Sequence, residues 1–228
     1  MEKVDSTPAS QLRTILSLFI VLRLVLLIFY SPKGLFSAFT DYYFYFQTAQ
    51  LSEQGYYPFV NMWYEYPPVL AYLPQAAYWL ADRILPMGDI YSFGFQLYYR
   101  ILGIIFLAFE AGALVLIHRI VGRAWSAAQA DWAAWVYALL GLPLLFSTYA
   151  HQAVPMFFWL LAVERFLAVQ WSGSAIALGL GIASKFTPAI LLAPVVKFLW
   201  PDKRRILRYS LVALLTVAAV YLPFVLLG

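Results

Sequence analysis

The amino-acid sequence predicts an all-α fold, a polytopic bundle of about six to seven transmembrane helical segments. Of its 228 residues, 64% are hydrophobic and only 11% are charged, whereas a soluble domain has about 45–50% apolar and about 25% charged residues. The mean hydropathy of +0.76 agrees with this interpretation. A soluble domain of this size could not bury so much apolar surface. The composition therefore excludes a secreted mini-protein, a nucleic-acid binder and a disordered tail.

Seven apolar stretches are candidates for membrane helices, since a helix needs about 20 residues to cross a hydrocarbon core of about 30 Å. They lie at 14–30, 67–81, 101–117, 132–149, 154–170, 174–199 and 209–227. The stretch 31–66 is the one long segment between spans, and we expect interfacial helices in it. No repeat, low-complexity segment or soluble domain interrupts the chain, so 1–228 is predicted to form a single transmembrane module.

The positions of Lys and Arg predict the orientation, because basic residues in short loops stay in the cytoplasm. Lys3 and Arg13 place the N-terminus there, and the basic residues of 203–208 place the sixth loop on the same side. The segment 31–66 then faces outward across the cell membrane.

Two topologies satisfy both ends of the chain. Simple alternation of all seven stretches puts Arg119, Arg123 and Arg165 on the outer side, against the charge rule. The other topology lays 67–81 along the outer surface and breaks 174–199 into two half-helices at its Lys-Phe-Thr-Pro sequence. A mid-segment proline and lysine favour such a break, because irregular backbone at membrane depth occurs where it lines a cavity.

The outward loop and the segment after it are rich in aromatic residues. Of the 39 residues from 42 to 80, 14 are aromatic, including Tyr42, Tyr43 and Tyr66. Aromatic rings favour the headgroup level of a membrane, so this composition by itself is explained by an interfacial belt. The same ring faces would also suit stacking against a sugar or packing on a lipid chain. These three tyrosines are therefore candidate substrate-binding residues.

Asp41 is the candidate catalytic residue. A carboxylate at an apolar boundary has a raised proton affinity, and it could accept a proton from an attacking hydroxyl or hold that hydroxyl in place. The alternative is an N-cap, since Asp before a helix accepts backbone N–H bonds. Glu65 is a second candidate, because the following Tyr66-Pro67-Pro68 sequence stiffens its backbone.

Four ionisable residues lie within or beside apolar stretches: Arg23, Glu110, His151 and Lys185. Charges at membrane depth cost about 2.5–3.5 kcal/mol each on insertion scales, so they usually face a partner or a cavity. Pairing of Glu110 with Arg23 or Lys185 would pin helices together. Alternatively, Lys185 or Arg23, with His151, would bind an anionic headgroup such as a phosphate.

The sequence contains no recognisable metal or cofactor motif. It has no cysteine and two histidines, and it lacks a Gly-rich phosphate loop and the H-E-x-x-H and G-x-S-x-G patterns. No cofactor is predicted, a divalent metal is not expected, and nucleic acid is not expected as a partner.

Several short elements resemble a known family by their order along the chain. They are Asp41-Tyr42-Tyr43, Gly55 with Pro58-Phe59, Tyr66-Pro67-Pro68-Val69-Leu70, Arg100-Ile101-Leu102 and the run from Gly179 to Pro188. The chain thus resembles the GT-C superfamily of membrane glycosyltransferases, particularly polyprenyl-phosphate-mannose-dependent mannosyltransferases.

The resemblance implies an inverting transfer of a mannose-like sugar, outside the cytoplasm, from a polyprenyl-phosphate donor. Asp41 matches the loop acid of the family and would activate or orient the acceptor hydroxyl. Lys185, with His151, would hold the donor phosphate as it leaves, which would stabilise the charge that develops in the transition state.

The chain departs from the family in two ways. The family's G-Q-x-D-like element reads Ala150-His151-Gln152-Ala153 here, so its Asp is missing. The chain also covers the shared N-terminal module without the variable C-terminal half, which leaves a fragment, a split enzyme or a reduced homologue as explanations. The alternative functions are therefore a non-catalytic subunit or scaffold that binds a second membrane protein and, third, a transporter.

Overall fold

The computed structural model describes residues 8–29, 41–140 and 151–227, and within them every regular element is a helix. The helices are α1 (Pro8–Phe29), α2 (Tyr42–Leu51), α3 (Pro68–Asp82), α4 (Phe93–Ala124), α5 (Ala127–Leu139), α6 (Ala153–Leu167), α7 (Trp171–Ile182), α8 (Leu192–Leu199) and α9 (Lys203–Leu227). Short 3₁₀ helices occupy Ser52–Gln54 and Thr187–Leu191. The predictions for Lys3, for 31–40 and for 141–149 lie outside the described residues.

Among the described helices, three are long and apolar enough to cross a membrane. They are α1 from Gln11 onward, α4 and α9. The others have 15 residues or fewer. A 15-residue helix extends about 22 Å, which is less than a hydrocarbon core of about 30 Å. The all-helical prediction is confirmed and the protein has the character of an integral membrane protein, whereas six to seven spans are not confirmed.

Helix α4 is the centre of the bundle and packs against α1, α3, α5 and α6. It begins after Ser92, whose hydroxyl accepts the Phe95 N–H at 3.1 Å. The chain reverses at 125–126, where Ser126 caps α5 in the same way. Such caps satisfy backbone groups that a helix terminus leaves unpaired.

The predicted break in 174–199 is present. Helix α7 ends at Ile182, and the chain resumes as a 3₁₀ turn at Thr187 before α8. Gly179 allows α7 to pack closely on α9, because a Cβ at this position would lie 2.7 Å from the Ala213 carbonyl oxygen. The backbone N–H of Val69 donates to the Ala183 carbonyl at 3.0 Å, which ties the end of α7 to the start of α3.

The two ends of the bundle differ in charge. Tyr98 and Tyr99, near the start of α4, belong to the same core as α2 and α3. We call the end of the bundle that contains this core the loop end. Arg123 lies about 24 residues further along α4, which rises about 1.5 Å per residue, so it is at the other end of the bundle. Its side chain pairs with Glu164 at 3.1 Å. Arg165 contacts the same carboxylate at 3.4 Å.

Helix α9 joins the two ends. Its Tyr209 hydroxyl lies 2.9 Å from the Ser174 hydroxyl at the start of α7, whereas the Val220 carbonyl accepts the Tyr72 hydroxyl of α3 at 3.4 Å. The basic start of α9 therefore lies with Arg123 and Arg165 at the opposite end, which we call the basic end. This arrangement agrees with the second topology in the break of 174–199 and in the common end of the basic residues, whereas the placement of 67–81 along the outer surface and the side that faces the cytoplasm stay predictions.

Candidate active site

Asp41 and His151 contact each other at the loop end. Asp41 stands directly before α2 and His151 stands two residues before α6. The Asp41 Oδ2 lies 3.0 Å from the His151 Nδ1, and the two side chains are 41% and 3% exposed, respectively. The histidine is thus sealed inside the bundle, whereas the carboxylate is open on one side. Asp41 makes no side-chain cap bond to α2, so the N-cap explanation does not account for it.

Two tyrosine hydroxyls surround the same carboxylate oxygen. The Tyr66 hydroxyl donates to Asp41 Oδ2 at 3.1 Å, and the Tyr45 hydroxyl lies 3.4 Å from that oxygen and 2.6 Å from the His151 Nδ1. Within the described residues, Oδ1 of Asp41 has no hydrogen-bond partner. One oxygen is therefore fixed in place by its neighbours, and the other is available to a substrate hydroxyl.

These contacts set the proton affinities in the site. The raised proton affinity expected for Asp41 is wrong: its pKa lies below its ordinary value, mainly because the hydrogen bond with His151 outweighs the opposing effect of burial. Burial and the Asp41 charge raise the pKa values of Tyr45 and Tyr66, so both hydroxyls keep their protons and act as donors. Asp41 is consequently a charged, well-oriented hydrogen-bond acceptor and a weak base.

Lys185 reaches the same region from the break after α7. Its Nζ donates to Gln152 Oε1 at 3.2 Å and lies 5.8 Å from the centroid of the Tyr66 ring. The Gln152 Nε2 is in turn 3.5 Å from the His151 Nε2. We call the six residues Asp41, Tyr45, Tyr66, His151, Gln152 and Lys185 the Asp41 cluster. In this cluster the Asp41 carboxylate accepts a hydrogen bond from the Tyr66 hydroxyl, and the Lys185 ammonium lies near the ring of the same tyrosine.

Three predicted site residues lie outside the Asp41 cluster. Tyr42 is 2% exposed and packs its ring 4.9 Å from that of Tyr99, so it belongs to the helix core. Tyr43 is on the exposed side of α2, where its hydroxyl accepts a bond from Gln47. Glu65 is exposed and has no ion pair with a described residue, although it directly precedes Tyr66.

Arg23 and Glu110 form a separate, sealed pair. The Arg23 Nε lies 3.0 Å from Glu110 Oε2, both side chains are 0% exposed, and a second bond joins Nη2 to Oε1 at 3.3 Å. The guanidinium also covers the Phe19 ring at 3.5 Å. Of the predicted alternatives, mutual pairing of Glu110 with Arg23 is confirmed, and it joins α1 to α4.

Tyr45 and Gln152 belong to the site although the sequence did not predict either of them as a site residue. Tyr45 follows Asp41 by four residues, which places both on one helical face. That spacing was visible, but aromatic residues are too frequent in α2 for it to stand out. Gln152 is next to His151, and only the folded chain shows that it bridges to Lys185.

The described residues contain no group of three or more His, Asp or Glu side chains that could hold a metal ion. The Asp41 cluster instead offers one free carboxylate oxygen, two phenol hydroxyls and one ammonium. Such a set can orient a hydroxyl and bind an anion. No protein-family model matches the chain, and neither the curated proteins nor the solved structures contain a match.

Proposed function

We propose that the protein is a membrane glycosyltransferase that moves a mannose-like sugar from a polyprenyl phosphate to an acceptor hydroxyl, with inversion. The observation that supports this proposal is the convergence of Asp41, His151, Tyr66 and Lys185 from three distant segments. The resemblance to GT-C enzymes implied an acidic residue in the outward loop and a lysine further along the chain. The residues at these positions, Asp41 and Lys185, both lie next to Tyr66.

The acceptor hydroxyl binds to the free Oδ1 of Asp41. The hydroxyl oxygen attacks the anomeric carbon of the sugar, and the bond between that carbon and the oxygen of the donor phosphate breaks. The electron pair of the broken bond leaves with the polyprenyl phosphate. Asp41 has a lowered pKa, so it takes the proton only after bond formation has made the hydroxyl acidic. Water then accepts the proton.

Lys185 stabilises the departing phosphate, because a fixed cation near a developing negative charge lowers the barrier. Its ammonium lies on one side of Tyr66 while Asp41 contacts the hydroxyl of that ring. Tyr66 offers a ring face to the sugar between them. In this proposal the N-terminus is in the cytoplasm of the cell, the loop end faces outward, and the partners are the bilayer and the lipid-linked donor.

The test uses the purified chain with polyprenyl-phosphate-linked mannose or glucose, and it measures consumption of the donor. We expect Asp41→Asn to lower turnover by about 10²–10⁴-fold, since it removes the proton acceptor. Asp82→Asn is the matched control, because Asp82 is an exposed carboxylate at the end of α3. This variant should keep full turnover.

The matching pair for the cation is Lys185→Ala against Lys197→Ala, and Lys197 is exposed in the last turn of α8. Loss should follow Lys185 alone, by about 10²–10³-fold. Full turnover in both Asp41→Asn and Lys185→Ala would refute the proposal. Donor binding without turnover in the unaltered chain would instead indicate that a partner is missing, and no donor binding at all would favour the non-catalytic subunit or scaffold.

A further inference from the structure

A polar cleft lies at the basic end, between the start of α7 and the first turns of α9. Its volume is about 390 Å³, and its polar lining comes from Gln170, Ser172, Arg205, Arg208 and Tyr209. A water molecule occupies about 30 Å³ of liquid, so the cleft has room for a phosphate group with part of its substituent. None of these residues belongs to the Asp41 cluster.

The cleft carries an excess of positive charge. Arg208 is exposed and forms no hydrogen bond or ion pair with the described residues. The Arg205 Nε pairs with Asp202 at 2.9 Å, which leaves the two terminal nitrogens of that guanidinium free to bind a ligand. Arg165 reaches the rim, where its Nη1 donates to Gln170 Oε1 at 2.7 Å. Clustered guanidinium groups recognise phosphate through paired N–H donors.

The backbone of α7 adds donors to the same space. Gln170, the residue before the helix, provides no side-chain cap. The first-turn N–H groups of Ser172 and Gly173 therefore have no capping side chain, and both residues line the cleft. The positive end of the α7 dipole favours an anion there.

The position of the cleft next to a candidate span leads us to expect it near the lipid headgroups. Helix α9 begins at Lys203 and its apolar stretch follows directly, so Arg205 and Arg208 stand at the edge of a membrane span. Trp171 lines the cleft, and Trp200 nearby in the chain is 66% exposed. Arginine and tryptophan are the residues expected at the interface between headgroups and hydrocarbon.

We propose that this cleft binds the phosphate of an anionic phospholipid headgroup. Arg205 and Arg208 hold the phosphate oxygens, the first turn of α7 donates its amides, and the acyl chains extend along the apolar surface of α9. The site is independent of the proposed transferase activity. Free inorganic phosphate has the same chemistry, and the experiment separates the two sources.

The experiment titrates the detergent-purified full chain with short-chain phosphatidylglycerol, with phosphatidylcholine and with inorganic phosphate, and it detects bound ligand by native mass spectrometry. We expect preferential binding of phosphatidylglycerol. Arg208→Gln and Arg205→Gln should each weaken it about tenfold, the loss expected for one charge-assisted contact. Arg208→Lys should restore part of the affinity.

Arg119→Gln is the matched control, since Arg119 is an exposed arginine at the same end and does not line this cleft. It should leave the affinity unchanged. Ser172→Asp, which adds a carboxylate without removing an arginine, should also weaken binding. Equal losses in Arg119→Gln and Arg208→Gln would overturn the proposal, as would equal binding of the two lipids. Binding of inorganic phosphate as tight as that of the lipid would overturn the lipid source.

Discussion

Two acid–base pairs between distant segments, Arg23–Glu110 and His151–Asp41, have the same 3.0 Å separation and opposite surroundings. Both members of the first are 0% exposed, and a second bond occupies the other Glu110 oxygen. In the second, His151 is 3% exposed but Asp41 is 41% exposed, with one oxygen free among the described residues.

This difference separates a structural pair from a candidate chemical one. A sealed, fully bonded pair has no atom left for a substrate, and its effect is to fix α1 against α4. An open pair keeps a charged oxygen at the surface in a defined orientation. Burial of a charge at membrane depth is therefore weak evidence for function by itself, and the unsatisfied, accessible atom is the informative feature.

The largest expected effect is on stability and falls on the sealed pair. Glu110→Leu leaves the Arg23 guanidinium buried without its partner, so we expect a loss of about 3–5 kcal/mol in the free energy of unfolding. The double variant Arg23→Met/Glu110→Leu should recover most of that loss, because two apolar side chains replace both charges. Thermal unfolding in detergent measures both. Equal destabilisation by the single and double variants would contradict this account.

The second prediction concerns the protonation of Asp41. Its pKa is lowered in the folded chain, so its contribution to stability is present above the unfolded value of about 3.9 and is lost as the pH falls through the lower folded value. His151→Asn removes the largest cause of the shift and should raise the pKa of Asp41. Tyr66→Phe should raise it less.

The carboxylate infrared band, taken as the difference from Asp41→Asn, follows this titration without any need for activity. The quantity compared is the pKa of Asp41 in the two variants, which should be higher in His151→Asn than in Tyr66→Phe. A larger shift of the Asp41 pKa in Tyr66→Phe than in His151→Asn would show that the histidine does not set the proton affinity of Asp41.

The smallest effects distinguish two tyrosines. The Tyr45 hydroxyl bridges His151 and Asp41, so Tyr45→Phe should cost about 1 kcal/mol of stability. The Tyr137 hydroxyl is buried near the sealed pair and has no hydrogen-bond partner in the described part of the chain. Tyr137→Phe should therefore be neutral or slightly stabilising. A larger loss in Tyr137→Phe than in Tyr45→Phe would reverse the comparison of the two regions.

Particular residues show how far the sequence led towards the site. The sequence predicted four residues of the site: Asp41, Tyr66, His151 and Lys185. A charged group next to apolar segments costs free energy unless it faces a partner or a cavity, and an aromatic ring there can bind a sugar or a lipid. Tyr42 and Tyr43 were predicted from the same aromatic run, and only packing separates them. One ring is buried against Tyr99 and the other is on the exposed face of α2.

The fold shows the same division. One of the two topologies placed a break in 174–199, because a proline and a lysine stand in the middle of that stretch, and the break is present. The predicted six to seven spans are not confirmed, since apolar composition does not distinguish a short helix inside the bundle from a span. Helices α3, α6 and α7 have 15 residues or fewer, which is short for a hydrocarbon core of about 30 Å.

The sequence alone determined what composition and local geometry control: an all-helical, apolar chain and a small set of charges too costly to stand unpaired. The tertiary structure decided which charges meet. Arg23 pairs with Glu110 across 87 positions, and Tyr45 lies beside His151 across 106. Such contacts depend on how helices pack, and several arrangements of the same apolar surfaces would satisfy the local rules. Only the folded chain determines that Asp41 keeps an open oxygen while Glu110 does not.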